Sequence, residues 1–437
     1  MGIPADVGYM VYMIMFYEGV GNLFPWNAFI TASNYYGERF CGTSFESNFE
    51  NFFSLTYTLS QTIGLAFSVI YQNKLSLRTK IIYPLICYSV VFLINTILVG
   101  VQDIDPTLLF WITLISACLC GCFGAVLSGG LFGLAAMFPA TYTSALMNGQ
   151  GVAGLTVAVS GLLTSLATSA VDTCSDDDGA DDGDCEQTMD YSALAYFIIA
   201  TLILVSCGFA FLSLNNLTFA KYYINKAESN EPEVSTHGIT SPLMDGASEH
   251  SEGYMTNHVV MGGLSYAKLS SIYHQIMIPS LSVWGVFAVT IGIFPSLIVL
   301  LESEQKCHND IRFYNDLYVP FFFLLFNLFD LMGRVSAGAI KPIFTAKNIW
   351  IPSMLRLVFF PLFLLCNVSD SLLPVVFKSD AFPIIFMILM AYSNGYIASL
   401  SMMIGASAVS PKDAQIAGTI MVFSLTLGLF TGACLSF

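Results

Sequence analysis

The feature that most constrains this chain is a series of long apolar runs separated by short polar segments. A helix needs about 20 mostly apolar residues to cross a hydrocarbon layer about 30 Å thick. Because the runs are rich in Leu, Ile, Phe and Val and do not alternate strictly, they predict helices and exclude an outer-membrane barrel. We therefore expect an all-α, multi-pass integral membrane protein. We count eleven runs, near residues 7–31, 51–72, 80–101, 107–137, 140–170, 191–215, 272–300, 313–338, 348–367, 381–404 and 413–437.

The composition supports this interpretation and excludes other classes. Only 10% of the 437 residues are charged and 55% are hydrophobic, whereas a soluble domain carries about 25% charged residues. Nucleic-acid binding needs a basic surface, and here 15 Lys and Arg stand against 30 Asp and Glu. We expect membrane lipids as surroundings and no nucleic-acid partner. The first run lacks a basic leader, so we interpret it as a retained span rather than a signal peptide.

The basic residues predict the orientation of the spans. Cytoplasmic loops carry an excess of Lys and Arg. A cytoplasmic N-terminus places ten basic residues in inner loops and four in outer loops, with Arg356 inside the ninth run. An odd number of spans then puts the C-terminus outside. The inner set is Lys74, Arg78, Lys80, Lys221, Lys226, Lys268, Arg334, Lys341, Lys347 and Lys412, and the outer set is Arg39, Lys306, Arg312 and Lys378.

One long polar break divides the chain. Residues 216–271 contain no apolar run of membrane length, and their composition predicts a disordered cytoplasmic linker. Residues 1–215 then form a six-helix bundle and residues 272–437 a five-helix bundle. This 6+5 layout predicts a major-facilitator-like arrangement, in which two bundles rock about a central cavity, as in many carriers.

The eighth run contains the most informative polar residues. A charge inside a span is costly and needs a reason, and Asp330 and Arg334 share one helix face with Asn327. From Asn327 to Arg334 the helix rises about 10 Å, the scale of a small polar solute. A carboxylate beside a guanidinium suits a neutral solute rich in hydroxyls, and Phe323 could stack on a planar ring. The alternative is an ion pair that only joins two helices.

The end of the first run is a second candidate site. Pro25 interrupts the hydrogen-bond ladder of the helix, and Trp26 and Asn27 follow it. Trp26 either lines a cavity or anchors the helix at the membrane interface. Glu18 is a further acid inside the span, and it either couples transport to protons or makes a hydrogen bond inside the bundle.

The fourth and fifth runs are rich in glycine, which lets helices approach closely. Ser128 and Gln150 are their polar exceptions. For each of these two side chains there are two alternatives, a hydrogen bond to a solute or a hydrogen bond to a neighbouring helix only.

The sequence contains no pattern that indicates a metal site or a catalytic site. Cys118, Cys120 and Cys122 alternate along a helix and point to different faces, which argues against a metal site. The acidic stretch 172–190 lacks the spacing of a calcium loop, and no catalytic motif is present, so we expect neither an enzyme nor a cofactor. Two pairings of outer cysteines are open, Cys174 with Cys185 or a pair that includes Cys41 and Cys307.

Four stretches together resemble the equilibrative nucleoside transporters, a family of solute carriers, and the resemblance covers nearly the whole chain. Leu23–Phe29 is similar to the family's first-span motif, and Gly129–Leu134 with Met147–Gly151 is similar to its fourth and fifth spans. Phe326–Arg334 is similar to its eighth-span signature, and Arg356–Leu362 with Ser393–Tyr396 is similar to its ninth and tenth spans.

The resemblance implies facilitated diffusion of nucleosides by alternating access, with no cofactor and no obligate protein partner. It implies eleven spans, with the N-terminus inside, and a plasma-membrane location. Asp330 and Arg334 would contact the ribose, and Ile30 would face Pro295 at an outer gate. Further substrate-binding positions implied are Leu23, Trp26, Ser128, Phe294, Phe323, Asn327 and Leu429.

Two departures from the family pattern keep alternatives open. Many members carry Gln where this chain has Ser128, so the base preference is undetermined. Glu18 stands where relatives are often apolar. A proton-coupled nucleoside or nucleobase carrier and a monoamine carrier of the same family are therefore alternatives, although neutral Gln150 argues against an organic cation. A non-transporting receptor is a further alternative.

Overall fold

The computed structural model describes residues 4–46, 48–72, 74–101, 103–167, 191–228, 260–261, 264–369 and 371–436. Helices dominate these residues, and their two strands, Val260–Met261 (β1) and Leu264–Ser265 (β2), form a short antiparallel hairpin. The helices up to the linker are Met10–Thr31 (α1), Ser33–Arg39 (α2), Phe49–Ile70 (α3), Leu77–Gly100 (α4), Pro106–Met137 (α5), Ala140–Ala167 (α6), Tyr191–Leu214 (α7) and Thr218–Glu228 (α8). Those after it are Tyr266–Ile293 (α9), Tyr318–Ala339 (α10), Trp350–Leu355 (α11), Phe359–Leu364 (α12), Ala381–Ser407 (α13) and Ala414–Leu435 (α14).

Each predicted apolar run coincides with helical structure. In the described part of the chain, nine helices are long and apolar enough to cross a membrane, namely α3 to α7, α9, α10, α13 and α14. The prediction of an all-helical, multi-pass membrane protein is confirmed. The other two runs are α1, which carries Glu18 and two asparagines, and the shorter Trp350–Leu364 segment.

Proline and capping residues set several helix ends. Ser76 accepts a hydrogen bond from Thr79 N at the start of α4, and Asp105 accepts one from Leu108 N at the start of α5. Between α5 and α6, Phe138 is extended, with ψ of 169°, because the residue before a proline avoids the helical conformation. The boundary between the fourth and fifth runs therefore falls at Phe138-Pro139.

The ninth run is not a single α-helix. α11 and α12 are joined by a 3-10 turn at Arg356–Val358. Pro361 has no N–H to donate back to the preceding turn, so the backbone tightens there. The turn places Arg356 in the interior of the bundle, where it is 2% exposed.

Both ends of the predicted linker are helical. α8 occupies Thr218–Glu228 and packs aromatic side chains onto the α5–α6 corner, with Phe219 and Tyr142 ring centroids 5.2 Å apart. α9 begins at Tyr266, six residues before the predicted span. Residues 229–259 of the linker lie outside the described part of the chain.

The helices pack as two bundles. α1 and α3 to α7 contact one another, as do α9 to α14. Glycines bring α1 and α6 together, because a side chain at Gly19 would collide with the Leu146 carbonyl and one at Gly149 with the Phe16 carbonyl. The bundles meet where α6 packs on α10 and α13, and where α3 and α5 pack on α14.

Candidate functional site

Asp330 and Arg334 form a buried ion pair on α10. Arg334 Nε donates to Asp330 Oδ2 at 2.6 Å, and the side chains are only 7% exposed each. The spacing of four residues stacks the two side chains on one helix face. Asn394 of α13 donates through Nδ2 to the other carboxylate oxygen, Oδ1, at 2.6 Å. Both oxygens of the buried carboxylate are therefore hydrogen-bonded, as a stable buried charge requires.

A second arginine extends this network. The Thr290 hydroxyl of α9 donates to Asn394 Oδ1 at 2.7 Å. Arg356 Nη2 in turn donates to Thr290 Oγ1 at 2.6 Å, and its Nη1 donates to the Met390 carbonyl at 2.7 Å. A continuous chain of polar contacts thus runs from Arg356 through Thr290 and Asn394 to Asp330.

Arg334 also connects the two bundles. Its Nη1 donates to the Met147 carbonyl of α6 at 3.2 Å. Gly151 and Gly154 of α6 face Arg334 and Asn327, so that larger side chains at these glycines would displace them. Asn327 Nδ2 donates to the Phe323 carbonyl of its own helix at 2.9 Å. The predicted polar face of α10 therefore lies at the bundle interface.

Aromatic side chains lie on the N-terminal side of the ion pair. Phe294, at the end of α9, stacks on Phe326 with ring centroids 4.2 Å apart and contacts Phe323 at 4.8 Å. The next residue, Pro295, is exposed and follows a cis peptide bond. The sequence predicted Phe294 and Phe323 as neighbours of the polar face, and the structure brings these two rings together.

A cavity of about 520 Å³ opens between the bundles on this side. Ile30 and Thr31 at the end of α1, the C-terminal half of α6, and Val319 and Phe323 of α10 are among its lining residues. Ile30 is half exposed there. From Phe323 to Asp330 the helix rises about 10 Å, so the cavity ends about two turns from the ion pair.

The opposite side of the interface is closed. Ser144 of α6 contacts Gly338 of α10, and Gly418 of α14 packs against the Phe132 carbonyl of α5. The bundles are thus apart at one end and in contact at the other.

A charged contact crosses the bundles at the rim of the cavity. Arg312 Nη2 donates to the Ser165 carbonyl at the end of α6 at 2.6 Å, and Arg312 Nε donates to Asp316 Oδ2 at 3.1 Å. The hydrogen bond that Arg312 donates to the Asp316 carboxylate raises the pKa of the Arg312 guanidinium. The predicted outer loop before α10 therefore holds the end of α6.

The candidate residues of α1 pack mainly within the first bundle. Trp26 stacks on Tyr57 of α3 with ring centroids 3.6 Å apart, and Leu23 is half-buried one turn before it. Ser128 of α5 donates to Asn22 Oδ1 at 2.9 Å. Asn22 lies one turn before Trp26 on α1, and its hydrogen bond with Ser128 was not predicted from the sequence.

Glu18 and Leu429 are separate from the ion pair. Glu18 is 1% exposed, and neither carboxyl oxygen has a hydrogen-bond partner. Its neighbours Tyr17 and Gly21 contact Cys207 of α7, which places this part of α1 against α7. Leu429 is half-buried on α14.

The cysteines divide into free and bonded groups. Cys41 and Cys307 are both disulfide-bonded, and Cys118, Cys120 and Cys122 are free thiols. Cys174 and Cys185, one of the two pairings left open by the sequence, lie outside the described residues. Within the described ranges, no group of three or more His, Cys, Asp or Glu side chains is placed to hold a metal ion.

Three members of the polar network were not assigned from the sequence. Asn394 and Arg356 lie in stretches that resemble the family but received no role, and Thr290 gave no signal. An uncompensated arginine in an apolar segment is itself an indication of a buried partner.

The sequence and the fold both match known proteins. A family model described as "Nucleoside transporter" matches residues 114–437. The human "Equilibrative nucleoside transporter 1" is 32% identical, and the alignment covers 99% of this chain and 97% of the relative. The human "Equilibrative nucleoside transporter 2" is 31% identical with the same coverage, and the zebrafish (Danio rerio) "Equilibrative nucleoside transporter 4" is 24% identical over 100% of this chain and 84% of the relative.

Solved structures of major facilitator transporters share the fold. FucP, in an outward conformation, aligns with a TM-score of 0.56 at 11% identity, covering 98% of this chain and 94% of FucP. The proton:xylose symporter XylE aligns with a TM-score of 0.60 at 11% identity, covering 98% of this chain and 88% of XylE. The predicted major-facilitator-like architecture is confirmed.

Proposed function

Since the chain belongs to the equilibrative nucleoside transporter family, we propose that its buried ion pair on α10 binds the ribose of a nucleoside while the two bundles alternate. The family predicted from the sequence motifs is confirmed, and the protein is a nucleoside transporter and not an enzyme.

The binding proposal rests on the position of Arg334, which contacts both bundles. Arg334 contacts Asp330 on its own helix and the Met147 carbonyl of the other bundle. A ribose has hydroxyls that both donate and accept, so it can donate to Asp330 and accept from Arg334. The solute would then replace the bond to Met147, and binding would be coupled to the contact between the bundles. A net charge on the solute would meet repulsion from one member of the pair.

We propose that the hydrophobic residues around the pair enclose the base. Phe323 lines the cavity and Phe294 packs on its ring, so a planar base can stack at this end of the cavity. Leu23, Trp26 and Leu429 would complete the enclosure from the other helices, and Asn327 and Ser128 would offer polar groups. Ile30, which lines the cavity, would close on Pro295 as an outer gate.

Two independent features support the proposed orientation. The basic residues favour a cytoplasmic N-terminus by ten to four. The disulfide-bonded Cys41 and Cys307 follow α1 and α9, and disulfides form in an oxidising space. We propose eleven spans in the plasma membrane, with the C-terminus outside, the bundles within residues 1–215 and 272–437, and residues 216–271 in the cytoplasm. The 520 Å³ cavity then opens outward.

The test is exchange in purified form. Proteoliposomes loaded with unlabelled nucleoside should take up radiolabelled nucleoside faster than empty ones, because alternating access returns a loaded carrier faster than an empty one. Asp330→Ala should abolish this exchange. Saturable binding without flux would identify a receptor, and full exchange by Asp330→Ala would reject the proposed site.

A second candidate, proton-coupled transport, is favoured by Glu18. This carboxyl is buried in the first bundle without a hydrogen-bond partner, close to Cys207, and an unpaired buried acid inside a membrane domain is often functional. If Glu18 carries protons, uptake should rise when the external pH is lowered, and Glu18→Gln should remove that dependence. A flat profile in the wild type would reject coupling while leaving facilitated transport intact.

A further inference from the structure

A group of polar side chains lies on the closed side of the ion pair. Ser144 and Asn148 are one turn apart on the face of α6 that meets α10, and they are 2% and 7% exposed. Ser399 of α13 is fully buried, one turn beyond Gly395, which packs on the backbone of Asp330 and Arg334. Gly338, opposite Ser144, is about 6 Å of helix rise beyond Arg334. The group is therefore adjacent to the proposed ribose site, away from the open cavity.

These side chains have unused hydrogen-bonding atoms. Ser144 Oγ, Asn148 Oδ1 and Ser399 Oγ have no hydrogen-bond partner. Many helical hydroxyls in the described residues bond to the carbonyl one turn earlier, as Thr156 does to Val152 and Ser407 to Met403, although Thr113, Thr143 and Ser401 are also buried without a partner. Burying a polar atom without a partner costs free energy. The group is therefore poorly accommodated in this conformation.

The position of these side chains explains why polar atoms without partners are buried there. Ser144 lies on the seam that must open when the bundles part on this side, because it faces Gly338 of the second bundle, and Asn148 is one turn away on the same helix. Ser399 lies next to this seam on α13, a helix of the second bundle that packs on both α10 and α6. Opening would expose the three atoms to water and to the departing solute. Groups that are unpaired in one state and paired in the other favour the second state.

We propose that Ser144, Asn148 and Ser399 form a second binding position for the hydroxyl-bearing sugar of a nucleoside, used when the carrier is open on this side. The inference rests on the proposed function of the Asp330–Arg334 pair. The sugar moves from the ion pair to this position, about one helical turn away, before it leaves.

Zero-trans influx and efflux of labelled nucleoside in the same cells test this position. In Ser144→Ala, Asn148→Ala and Ser399→Ala, the KM for efflux should rise about 2- to 10-fold for each lost hydrogen bond. The KM for influx should change by less than about twofold. Thr156→Val, which removes an exposed hydroxyl of α6 bonded to its own helix, should match the wild type in both directions.

A thermal melt separates this role from a structural one. Ser144→Ala and Ser399→Ala remove unpartnered hydroxyls, so the melting temperature in detergent should stay equal or rise. A lower melting temperature, or equal KM changes in both directions, would overturn the second position. Failure of the ion-pair proposal is a different result, namely normal exchange by Asp330→Ala.

Discussion

Arg334 Nη1 donates to the Met147 carbonyl oxygen at 3.2 Å, so a charged side chain of the second bundle is bonded to the backbone of the first. The same guanidinium is paired with Asp330 through Nε at 2.6 Å. A solute that competes for this guanidinium changes the contact between the bundles at the moment it binds. If the pair binds the ribose as proposed, this relationship connects recognition of the sugar to the movement of the bundles.

Arg334→Lys should lower the ratio of Vmax to KM for nucleoside uptake by at least about tenfold. Lysine keeps the positive charge, but its single ammonium cannot reproduce the planar fork that contacts both Asp330 and Met147. The measurement is initial uptake of labelled nucleoside, normalised to surface protein by biotinylation. Lys378→Ala, at an exposed position between α12 and α13, is the control. Wild-type uptake by Arg334→Lys would show that charge alone suffices.

Asn394→Ala should raise the KM for nucleosides about 3- to 10-fold, because Asp330 loses the donor that orients one carboxylate oxygen. Thr290→Val should have a smaller effect in the same direction, since it acts through Asn394. The double variant should be no worse than Asn394→Ala alone, because the two residues belong to one network. Ser407→Ala on the same helix is the control, and additive effects would show that Thr290 acts independently.

Gly149→Ala should destabilise the first bundle by about 1–3 kcal/mol, because the added methyl group collides with the Phe16 carbonyl. Gly161→Ala on the same helix meets no atom within 4 Å and should be neutral or stabilising by up to about 1 kcal/mol. Thermal unfolding of the two variants in detergent provides the comparison. Equal melting temperatures would indicate that α1 and α6 are packed less closely.

Intact cells should reveal the disulfide-bonded cysteines on the outer face. A membrane-impermeant reductant followed by an impermeant maleimide should label the protein, and Cys41→Ser or Cys307→Ser should reduce the reductant-dependent labelling. Labelling that requires permeabilised cells would reverse the proposed orientation.

The positions of the helices were readable from the chain because membrane spans obey local rules. Each of the eleven apolar runs predicted a helical segment, and the break between the fourth and fifth runs falls at Phe138-Pro139. The helix α8 and the earlier start of α9 differ from the predicted linker. Moderate amphipathic segments of this kind become helical by packing aromatic side chains on a neighbour, here Phe219 on Tyr142, and that neighbour is distant in sequence.

The Asp330–Arg334 pair was predictable for the same reason, since a separation of four residues places two side chains on one face of any α-helix. Its other contacts were not. Asn394 lies 64 residues from Asp330, and Met147 lies 187 residues from Arg334, so only the packing of α6, α10 and α13 brings them together. Periodicity acts along one helix, whereas the choice of partners depends on how several helices fill space together. The packing of several helices against one another, and not the pattern along any one of them, decides which end of the bundle interface is open.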